Sequence, residues 1–353
     1  MASNGEVGLT RWPRHAAHRN VGRRDPSVFG PSCGCLGSER NVRVVITGGS
    51  GFIGSHLADR FLADGHQVVC LDNYITGHPG NTAHLTGRAD FELIECDVSD
   101  GIPVQGKVDA VLHFASPASP FDYHRYPLET LRVGSEATMH CAEFALKAGA
   151  RLLLASTSEI YRDPLEHPQR ETYYGNVNSV GPRSVYDEAK RFAESTVMAY
   201  HRQAGLESRI VRIFNTYGPR MKVDDGRVLP TFCAQALRGE PITVFGDGSQ
   251  TRSFCYVSDL VEGICRLLAS DYSGPVNLGN PNEITIRQLV DEILAVCNST
   301  SDVTYQDLPE DDPKLRRPDI SLARKVLGWE PTVDRSEGVA RMVDYVRTEL
   351  ARV

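Results

Sequence analysis

The stretch Val44-Val45-Ile46-Thr47-Gly48-Gly49-Ser50-Gly51-Phe52-Ile53-Gly54 decides the fold of this chain. Its β-branched residues predict a strand, and the glycines at 48, 51 and 54 predict a turn that leads into a helix at Phe52–Ala63. Glycines at such a junction let the backbone approach a pyrophosphate, and the positive end of the helix favours the anion. The glycine spacing alone is a weak signal for a dinucleotide site.

The next predicted strand, Gln67–Asp72, makes that signal specific. It ends in Asp72, where a carboxylate would accept hydrogen bonds from the ribose hydroxyls of a dinucleotide. The same charge would repel a 2′-phosphate, and Asn73-Tyr74 supplies no arginine to neutralise one. The sequence therefore predicts NAD rather than NADP, and the alternative is a structural turn that Asp72 merely caps. The predicted cofactor residues are Gly48, Gly51, Phe52, Ile53, Gly54, Asp72, Asn73, Asp97, Val98, Tyr186 and Lys190.

Short apolar segments alternate with amphipathic segments through residues 41–215. Apolar side chains at three- and four-residue spacing predict helices at Phe52–Ala63, 128–148 and Ser184–Ala204. The alternation predicts an α/β fold with a doubly wound parallel sheet of the Rossmann type. The predicted strands are 42–47, 67–72, 91–96, 108–114, 151–156 and 208–214.

Two changes of composition divide the chain. Residues 1–40 are rich in arginine, glycine and proline without apolar periodicity, which predicts a disordered tail. An arginine-rich organelle presequence is the alternative reading of this segment. After Asn215, short elements punctuated by glycine and proline predict a smaller substrate-binding region over 216–353. We expect residues 256–275 to return to the NAD-binding domain.

Composition excludes several functional classes. The 353 residues are 41% hydrophobic and 24% charged, and no apolar run approaches the roughly 20 residues of a membrane span. A formal net charge of −7 argues against nucleic acid as the main partner. The nine cysteines lack paired metal-ligand spacing, and Cys33-Gly34-Cys35 alone is too small a ligand set. These features predict a cytoplasmic protein with no membrane partner and no metal site.

The segment Tyr186-Asp187-Glu188-Ala189-Lys190 places a phenol and an ammonium one helical turn apart. An adjacent cation favours the phenolate, so we expect Tyr186 to lose its proton nearer neutral pH and to act as a base. Such a pair also occurs by chance on solvated helices. Its context is the predicted strand 151–156, which runs into the polar Thr157-Ser158-Glu159, and ligands bind at such strand ends in open α/β sheets.

Several long, specific strings occur between residue 42 and residue 353: HFASPASP at 113–120, STSE at 156–159, RIFNTYGPRM at 212–221, QTRSF at 250–254, DDPKLRRPDI at 311–320 and LGW at 327–329. By these strings the sequence from residue 42 to residue 353 resembles the UDP-glucuronate decarboxylases (UDP-xylose synthases), a family of extended short-chain dehydrogenase/reductases. The resemblance implies a homodimer in which the helices at 128–148 and Ser184–Ala204 form an intersubunit bundle.

This resemblance implies an enzyme that uses NAD as a recycled oxidant on a UDP-linked sugar. Oxidation of C4 of UDP-glucuronate places a ketone β to the carboxylate, so the ketone accepts the electrons left by departing carbon dioxide. The expected product is UDP-xylose. The residues implied in catalysis are Thr157, Ser158, Glu159, Tyr186, Lys190 and Arg252.

The same resemblance implies residues that bind the sugar and its pyrophosphate, namely Tyr123, Asn215, Arg252 and Arg316. A structural interpretation stays open for each of these positions. Asn215 could be a turn residue, Arg316 a surface charge and Tyr123 a packing aromatic. Glu159 and Arg252 could form only an ion pair.

Other activities also stay open. A nucleotide-sugar 4-epimerase or 4,6-dehydratase shares the first oxidation, but such a dehydratase carries an acidic residue where this chain has Ser158. A non-catalytic NAD-binding scaffold or sensor would not need Thr157, Tyr186 and Lys190 together. Arg162 is a departure from the family, which usually has glycine there. A changed loop at Arg162 would favour escape of UDP-4-keto-pentose as a second product.

Overall fold

A computed structural model describes residues 41–224, 226–307 and 315–352. The predicted tail at 1–40, with Cys33 and Cys35, and residues 311–314 of the DDPKLRRPDI string lie outside the described residues. The described helices are α1 (Phe52–Ala63), α2 (Pro120–Arg125), α3 (Pro127–Arg132), α4 (Thr138–Ala148), α5 (Ser184–Ala204), α6 (Val228–Arg238), α7 (Val257–Ala269), α8 (Ile286–Cys297), α9 (Ser321–Leu327) and α10 (Arg335–Leu350). The described strands are β1 (Arg43–Thr47), β2 (Gln67–Asp72), β3 (Phe91–Glu95), β4 (Ala110–His113), β5 (Arg151–Thr157), β6 (Ser208–Ile213), β7 (Thr216–Tyr217), β8 (Ile242–Phe245), β9 (Thr251–Ser253), β10 (Cys255–Tyr256), β11 (Pro275–Leu278), β12 (Glu283–Thr285) and β13 (Val303–Gln306).

A seven-stranded sheet organises the structure, with the order β11-β6-β5-β4-β1-β2-β3. Every neighbouring pair in this sheet is parallel. The strand order reverses between β1 and β4, which is the point where ligands bind in doubly wound folds. The predicted Rossmann-type sheet is confirmed, and the bounds of β2, α1 and α5 are those predicted.

The two faces of the sheet carry separate apolar clusters because successive strand residues point to opposite sides. Val44 and Ile46 of β1 pack in one cluster with α1 and α7. Val45 of the same strand packs in the other cluster with α4 and α5. β5, at the middle of the sheet, is buried along its whole length. Helices therefore shield both faces, and the strand ends remain available for a ligand site.

The predicted helix at 128–148 is divided into α3, a π-helical turn at Val133–Ala137, and α4. Gly134 in this turn lies against α5, since an added Cβ there would come within 2.6 Å of the Ala189 Cβ atom. The wider π turn thus seats a glycine where two helices approach closely. Helical periodicity does not distinguish such a turn from a regular helix.

The smaller elements beyond Asn215 pack on one side of the sheet's carboxyl edge. Helices α6, α8 and α10 contact one another, and β8 pairs with β13 while β9 pairs with β12. α7 and β11 instead pack with the large sheet. The predicted domain boundary at 215 stays a prediction.

Among the described helices, none combines the length and apolar character that crossing a bilayer requires.

Candidate active site

A cavity of about 1300 Å³ extends along the carboxyl ends of the parallel strands. Its wall includes residues that follow six of the seven parallel strands, together with side chains from α6 and β9. Ligand pockets commonly measure roughly 300–1,000 Å³, so this cavity has room for a cofactor and a second molecule. The topology therefore provides one cleft between the large sheet and the smaller elements.

The glycine turn forms one side of this cavity. Gly48, Gly51, Phe52, Ile53 and Gly54 all line it. Gly48 has φ +69°, and an added Cβ at Gly54 would overlap the carbonyl oxygen of Gly48. α1 begins without a side-chain cap and has no acidic residue in its first turn. The helix end thus offers backbone N–H groups to an anion, which fits the pyrophosphate of a dinucleotide.

Asp72 lies at the end of β2 and also lines the cavity. Its Oδ2 accepts from the Ser50 backbone N–H at 2.8 Å, and its Oδ1 accepts from that of Tyr74 at 2.9 Å. Burial raises the pKa of Asp72 above its usual value. The carboxylate therefore fixes the glycine turn as well as facing the cavity. Asn73, Asp97 and Val98 line the wall beside it, and Asn73 Nδ2 donates to Asp97 Oδ2 at 3.3 Å.

Three predicted catalytic residues meet where β5 ends beside α5. The side chain of Thr157 interacts with the Tyr186 phenol and lowers its pKa. Lys190 Nζ lies 5.8 Å from the centroid of the Tyr186 ring and donates to the Ala155 carbonyl oxygen at 2.9 Å. All three line the cavity, as does Ser158. The structure thus brings together a phenol, a hydroxyl and a cation from separate parts of the chain.

In the described structure the pKa of Tyr186 lies above the ordinary value of tyrosine. The expectation that Lys190 brings this pKa toward neutral pH is therefore wrong. Burial raises the pKa of Tyr186, and the nearby Glu159 raises it further, against a lowering hydrogen bond from Thr157. Burial also lowers the pKa of Lys190 to about 8. For both groups the loss of solvent is the largest cause of the shift in pKa. Tyr186 is therefore a neutral phenol in the protein alone.

Glu159 lies in the turn Ser158–Tyr161, and arginine side chains from outside this turn hold its carboxylate. Its Oε1 accepts from Arg316 Nη1 at 2.7 Å, and its Oε2 accepts from Arg162 Nη1 at 3.0 Å. Burial would raise the pKa of Glu159, but Arg316, Arg183 and Arg162 outweigh it and hold the pKa at about 2. Glu159 is thus a carboxylate throughout the physiological range.

Two of the predicted substrate-binding arginines line the cavity. Arg316 is buried rather than a surface charge, and its Nη2 has no hydrogen-bond partner among the described residues. Such a buried donor is suited to an anionic ligand, because leaving it without an acceptor costs free energy. Arg252 lies on β9, and its Nη1 donates to the Thr251 carbonyl oxygen at 2.9 Å. Asn215, between β6 and β7, also lines the cavity.

Tyr123 was expected near the sugar, but the cavity wall does not include it among the described residues. Its ring stacks on that of Tyr186 with 5.2 Å between centroids and 8° between planes. Its hydroxyl accepts from Arg183 Nε at 2.7 Å. The stacking holds Tyr123 behind Tyr186, so the alternative of a packing aromatic fits this residue better.

Sequence reasoning missed two charged residues at the start of α5. Arg183 lines the cavity and acts on both Tyr123 and Glu159. Asp187 is buried, and its Oδ1 has no hydrogen-bond partner among the described side chains and backbone. A cation at a helix N-terminus opposes the helix dipole, so Arg183 was a local anomaly that could have signalled a site. In the described ranges there is no cluster of His, Cys, Asp or Glu able to hold a metal ion.

The comparisons with known proteins agree with this arrangement. Residues 44–279 match the model of the NAD dependent epimerase/dehydratase family, so the chain belongs to that family. A solved UDP-glucose 4-epimerase from Thermotoga maritima with UDP-glucose has TM-score 0.81 and 27% identity, covering 87% of this chain and 99% of its own. A UDP-glucuronic acid 4-epimerase from Bacillus cereus, in complex with UDP-glucuronic acid and NAD, has TM-score 0.77 and 25% identity with the same coverage.

Relatives with higher identity narrow the family to the UDP-glucuronic acid decarboxylases. The chain is 50% identical over 311 residues to UDP-glucuronic acid decarboxylase 1 of Arabidopsis thaliana, covering 88% of this chain and 71% of that protein. It is 49% identical over 351 residues to decarboxylase 6 of the same plant, covering 99% and 98%. Decarboxylase 1 of Xenopus tropicalis is 49% identical over 315 residues, covering 89% and 75%. The predicted resemblance is confirmed.

Proposed function

We propose that this protein converts UDP-glucuronate to UDP-xylose by NAD-dependent decarboxylation through a UDP-4-keto intermediate. The observation that carries the proposal is the meeting of Thr157, Tyr186 and Lys190 with the ionised Glu159 at one end of β5. The relatives at about 50% identity are decarboxylases, whereas solved UDP-sugar 4-epimerases are at 25–28%. Ser158 occupies the position where a 4,6-dehydratase would need an acid.

The backbone on the cofactor side of the cavity has a shape and hydrogen-bond donors that fit NAD. The glycine turn and the uncapped start of α1 would hold the pyrophosphate, and Asp72 would accept from a ribose. Bound NAD supplies an electron acceptor for C4 of the sugar and a positive charge. Asp72 disfavours a 2′-phosphate, which supports NAD over NADP.

Proton transfer at C4 falls to Tyr186. Tyr186 lines the cavity, and the neighbouring Thr157 side chain, which interacts with its phenol, would orient the oxygen before the sugar binds. Lys190 lies one turn along α5 and stabilises negative charge that develops on this oxygen. The high pKa of the free phenol means that it gives up its proton only when positive charge has been added to the site.

The C4 ketone then makes the carboxyl group labile. The bond between C5 and C6 breaks, carbon dioxide leaves, and its bonding electrons move to the C4 oxygen as an enolate. C5 next takes a proton. The two electrons that bound NAD would have accepted from C4 would then return to that carbon, and Tyr186 would give a proton to the C4 oxygen, so that the ketone becomes the alcohol of the pentose. Arg316 Nη2 is a donor without a partner in the described structure, so we assign it to an anionic group of the substrate.

Charged side chains line the cavity of a chain that is acidic overall, at −7. The cations of the wall are Arg183, Lys190, Arg220, Lys222, Arg227, Arg238, Arg252 and Arg316, and its carboxylates are Asp72, Asp97, Asp122, Glu129, Glu159, Asp224 and Glu349. The two signs nearly balance over the whole wall, so the support for an anionic substrate is local. Arg183 and Arg316 both act on Glu159, and Arg316 Nη2 has no acceptor among the described residues.

Product analysis tests the proposal. Purified protein incubated with NAD and UDP-glucuronate should release carbon dioxide and form UDP-xylose by mass spectrometry. Glu159→Gln should reduce carbon dioxide release more than oxidation, so that UDP-4-keto-glucuronate and reduced cofactor accumulate. Epimerised UDP-galacturonate without loss of carbon dioxide would establish the 4-epimerase instead. A protein that binds NAD but transforms no UDP-sugar would establish the non-catalytic alternative.

The exposed side of α3 and α5 supports a homodimer. Leu128, Leu131 and Phe192 are apolar and respectively 70%, 39% and 49% exposed. A continuous apolar patch on packed helices is typical of a protein interface. Light scattering should therefore give twice the chain mass for the wild type and the single chain mass for Phe192→Asp. A monomeric wild type would contradict the dimer.

A reducing compartment is also part of the proposal. The cysteines among the described residues are free thiols, most of them buried. Burial raises the pKa of Cys70, Cys141 and Cys255 well above the usual range, so these thiols stay protonated and unreactive. We place the protein in the cytoplasm on this ground. Fractionation of cells that express the full chain tests the location.

A further inference from the structure

Arg162 has a backbone conformation that arginine rarely adopts. It follows the turn Ser158–Tyr161 with φ 53° and ψ −118°, in the region that favours glycine. Its side chain is nevertheless almost fully buried, at 4% exposure. A strained residue persists only where its surroundings hold it in place. The contacts of the buried guanidinium therefore hold the backbone in this conformation.

Two buried carboxylates surround the Arg162 guanidinium. Nη1 donates to Glu159 Oε2 at 3.0 Å, and Nε lies 3.5 Å from Asp187 Oδ2. The loop at Gly175 packs closely on this turn, since an added Cβ there would overlap the Ile160 carbonyl oxygen. Arg162 thus links the end of β5 to the first turn of α5. A buried guanidinium between two carboxylates offsets the unfavourable backbone.

Three arginines act on Glu159, but they differ in their access to ligand. Arg183 and Arg316 line the cavity, whereas Arg162 is not part of its wall. A bound anionic sugar nucleotide would compete with Glu159 for the two arginines in the wall. Arg162, behind Glu159, would keep its partner. The groups that face Glu159 and Asp187 from the packed elements are the cations Arg162, Arg183 and Arg316 and the neutral phenols of Tyr123 and Tyr186.

We propose that Arg162 is a positioning residue, the permanent counter-ion that keeps Glu159 ionised and aimed into the cavity while Arg183 and Arg316 bind the substrate. This inference rests on the proposed function, because it requires an anionic substrate. It assigns a role to the position at which the chain departs from the glycine usual in the family. Glycine at this position would adopt the backbone conformation freely, whereas arginine gives up that freedom and supplies a fixed positive charge.

Loss of the Arg162 charge has a definite consequence. Glu159 and Asp187 would face each other with one cation fewer, and two buried carboxylates in contact favour sharing a proton. Burial and Glu159 already raise the pKa of Asp187 to about 7. Without Arg162, protonation of the pair would extend to higher pH. The acidic limb of the kcat profile should therefore move upward.

The test compares Arg162→Met, Arg162→Lys and Arg162→Gly in the full, NAD-loaded protein. Carbon dioxide release from UDP-glucuronate is followed from pH 5.5 to 9. Arg162→Met should lower kcat at pH 6 by roughly ten-fold more than at pH 9, the equivalent of about one pKa unit, with little change in KM. Arg162→Lys should restore most of the profile. Arg162→Gly should show the same pH-dependent loss although its backbone is relaxed.

Asn298→Gly is the matched control for the effect of relieving a strained backbone conformation. Asn298 also has positive φ, at 52°, but it ends α8 away from the cavity wall. This variant should keep the wild-type pH profile. If Arg162→Met does not fold, the pH profile of Arg162→Gly tests the proposal instead, since glycine removes the charge without backbone strain.

Two outcomes overturn the role of Arg162. One is a wild-type pH profile in the variants that lack the charge. The other is a loss of kcat equal at all pH values and not rescued by lysine, which would indicate only a structural role. A wild-type protein that releases no carbon dioxide would instead overturn the proposed function.

Discussion

The cofactor side and the charged side of the cavity are built by different means. The cofactor side is mainly backbone at a glycine turn and the start of α1, contributed by one continuous segment of the chain, with Asp72 of β2 beside it. The charged side consists of Glu159, Arg183 and Arg316 in the wall and of Arg162 and Asp187 behind it, and these residues come from three separate segments. Backbone sites depend on shape and tolerate little added volume. Side-chain sites depend on the balance between charge pairing and lost solvation.

The largest effect is expected at Tyr186, where the two sides meet. Tyr186→Phe removes the only atom of this side chain that can exchange a proton, so kcat should fall by roughly 10²- to 10⁴-fold with nearly unchanged NAD affinity. Steady-state kinetics and NAD titration measure the two quantities. Tyr200→Phe is the matched control on the same helix, because the Tyr200 hydroxyl donates to Glu143 Oε1 away from the cavity wall. An equal loss in the two variants would contradict the roles given to these tyrosines.

A change of volume should damage the cofactor side selectively. Gly54→Ala places a Cβ against the Gly48 carbonyl oxygen, so the turn must shift and NAD binding should weaken by roughly ten-fold, or about 1.4 kcal/mol. Calorimetric titration of NAD measures the change. Gly263→Ala provides the comparison, since its Cβ would crowd Leu278 and Trp329 away from the cavity. That variant should lose stability but keep its NAD affinity. Unchanged affinity in Gly54→Ala would refute a close backbone approach.

The free energy cost of burying charge on the charged side should appear as a dependence of the protein's stability on pH. Burial and the nearby Glu159 raise the pKa of Asp187 from 3.8 to about 7. Between these values the folded protein keeps a proton that the unfolded chain releases, so the free energy of unfolding falls as pH rises. Asp187→Asn removes this penalty. The variant's stability relative to the wild type should therefore be greater at pH 8 than at pH 5, by on the order of 1–3 kcal/mol.

Chemical denaturation at the two pH values measures that difference. Glu188→Gln is the control on the same helix, since the Glu188 side chain is 39% exposed. It should show no comparable dependence on pH. If Asp187→Asn changed stability equally at pH 5 and pH 8, Asp187 would titrate normally and the buried charge cluster would be wrongly described.

The same contrast explains what the sequence could predict. Local periodicity gave the bounds of β2, α1 and α5, and the glycine turn follows from neighbouring residues. The π turn at Val133–Ala137 depends on contact with α5, a distant segment, and periodicity does not reveal it. The pKa of Tyr186 was predicted in the wrong direction because burial, rather than spacing from Lys190, controls it. Arg183 and Asp187 acquire their roles only from tertiary packing.

The central claim is that a ketone formed transiently at C4 of the sugar allows the carboxyl group to leave. The most direct test uses UDP-glucuronate with deuterium at C4, analysed by mass spectrometry and NMR after complete conversion in ordinary water. The account predicts UDP-xylose that retains deuterium at C4, with one carbon dioxide released per product, because the electrons taken from that carbon are returned to it. Carbon dioxide release with the C4 deuterium lost to solvent would contradict it.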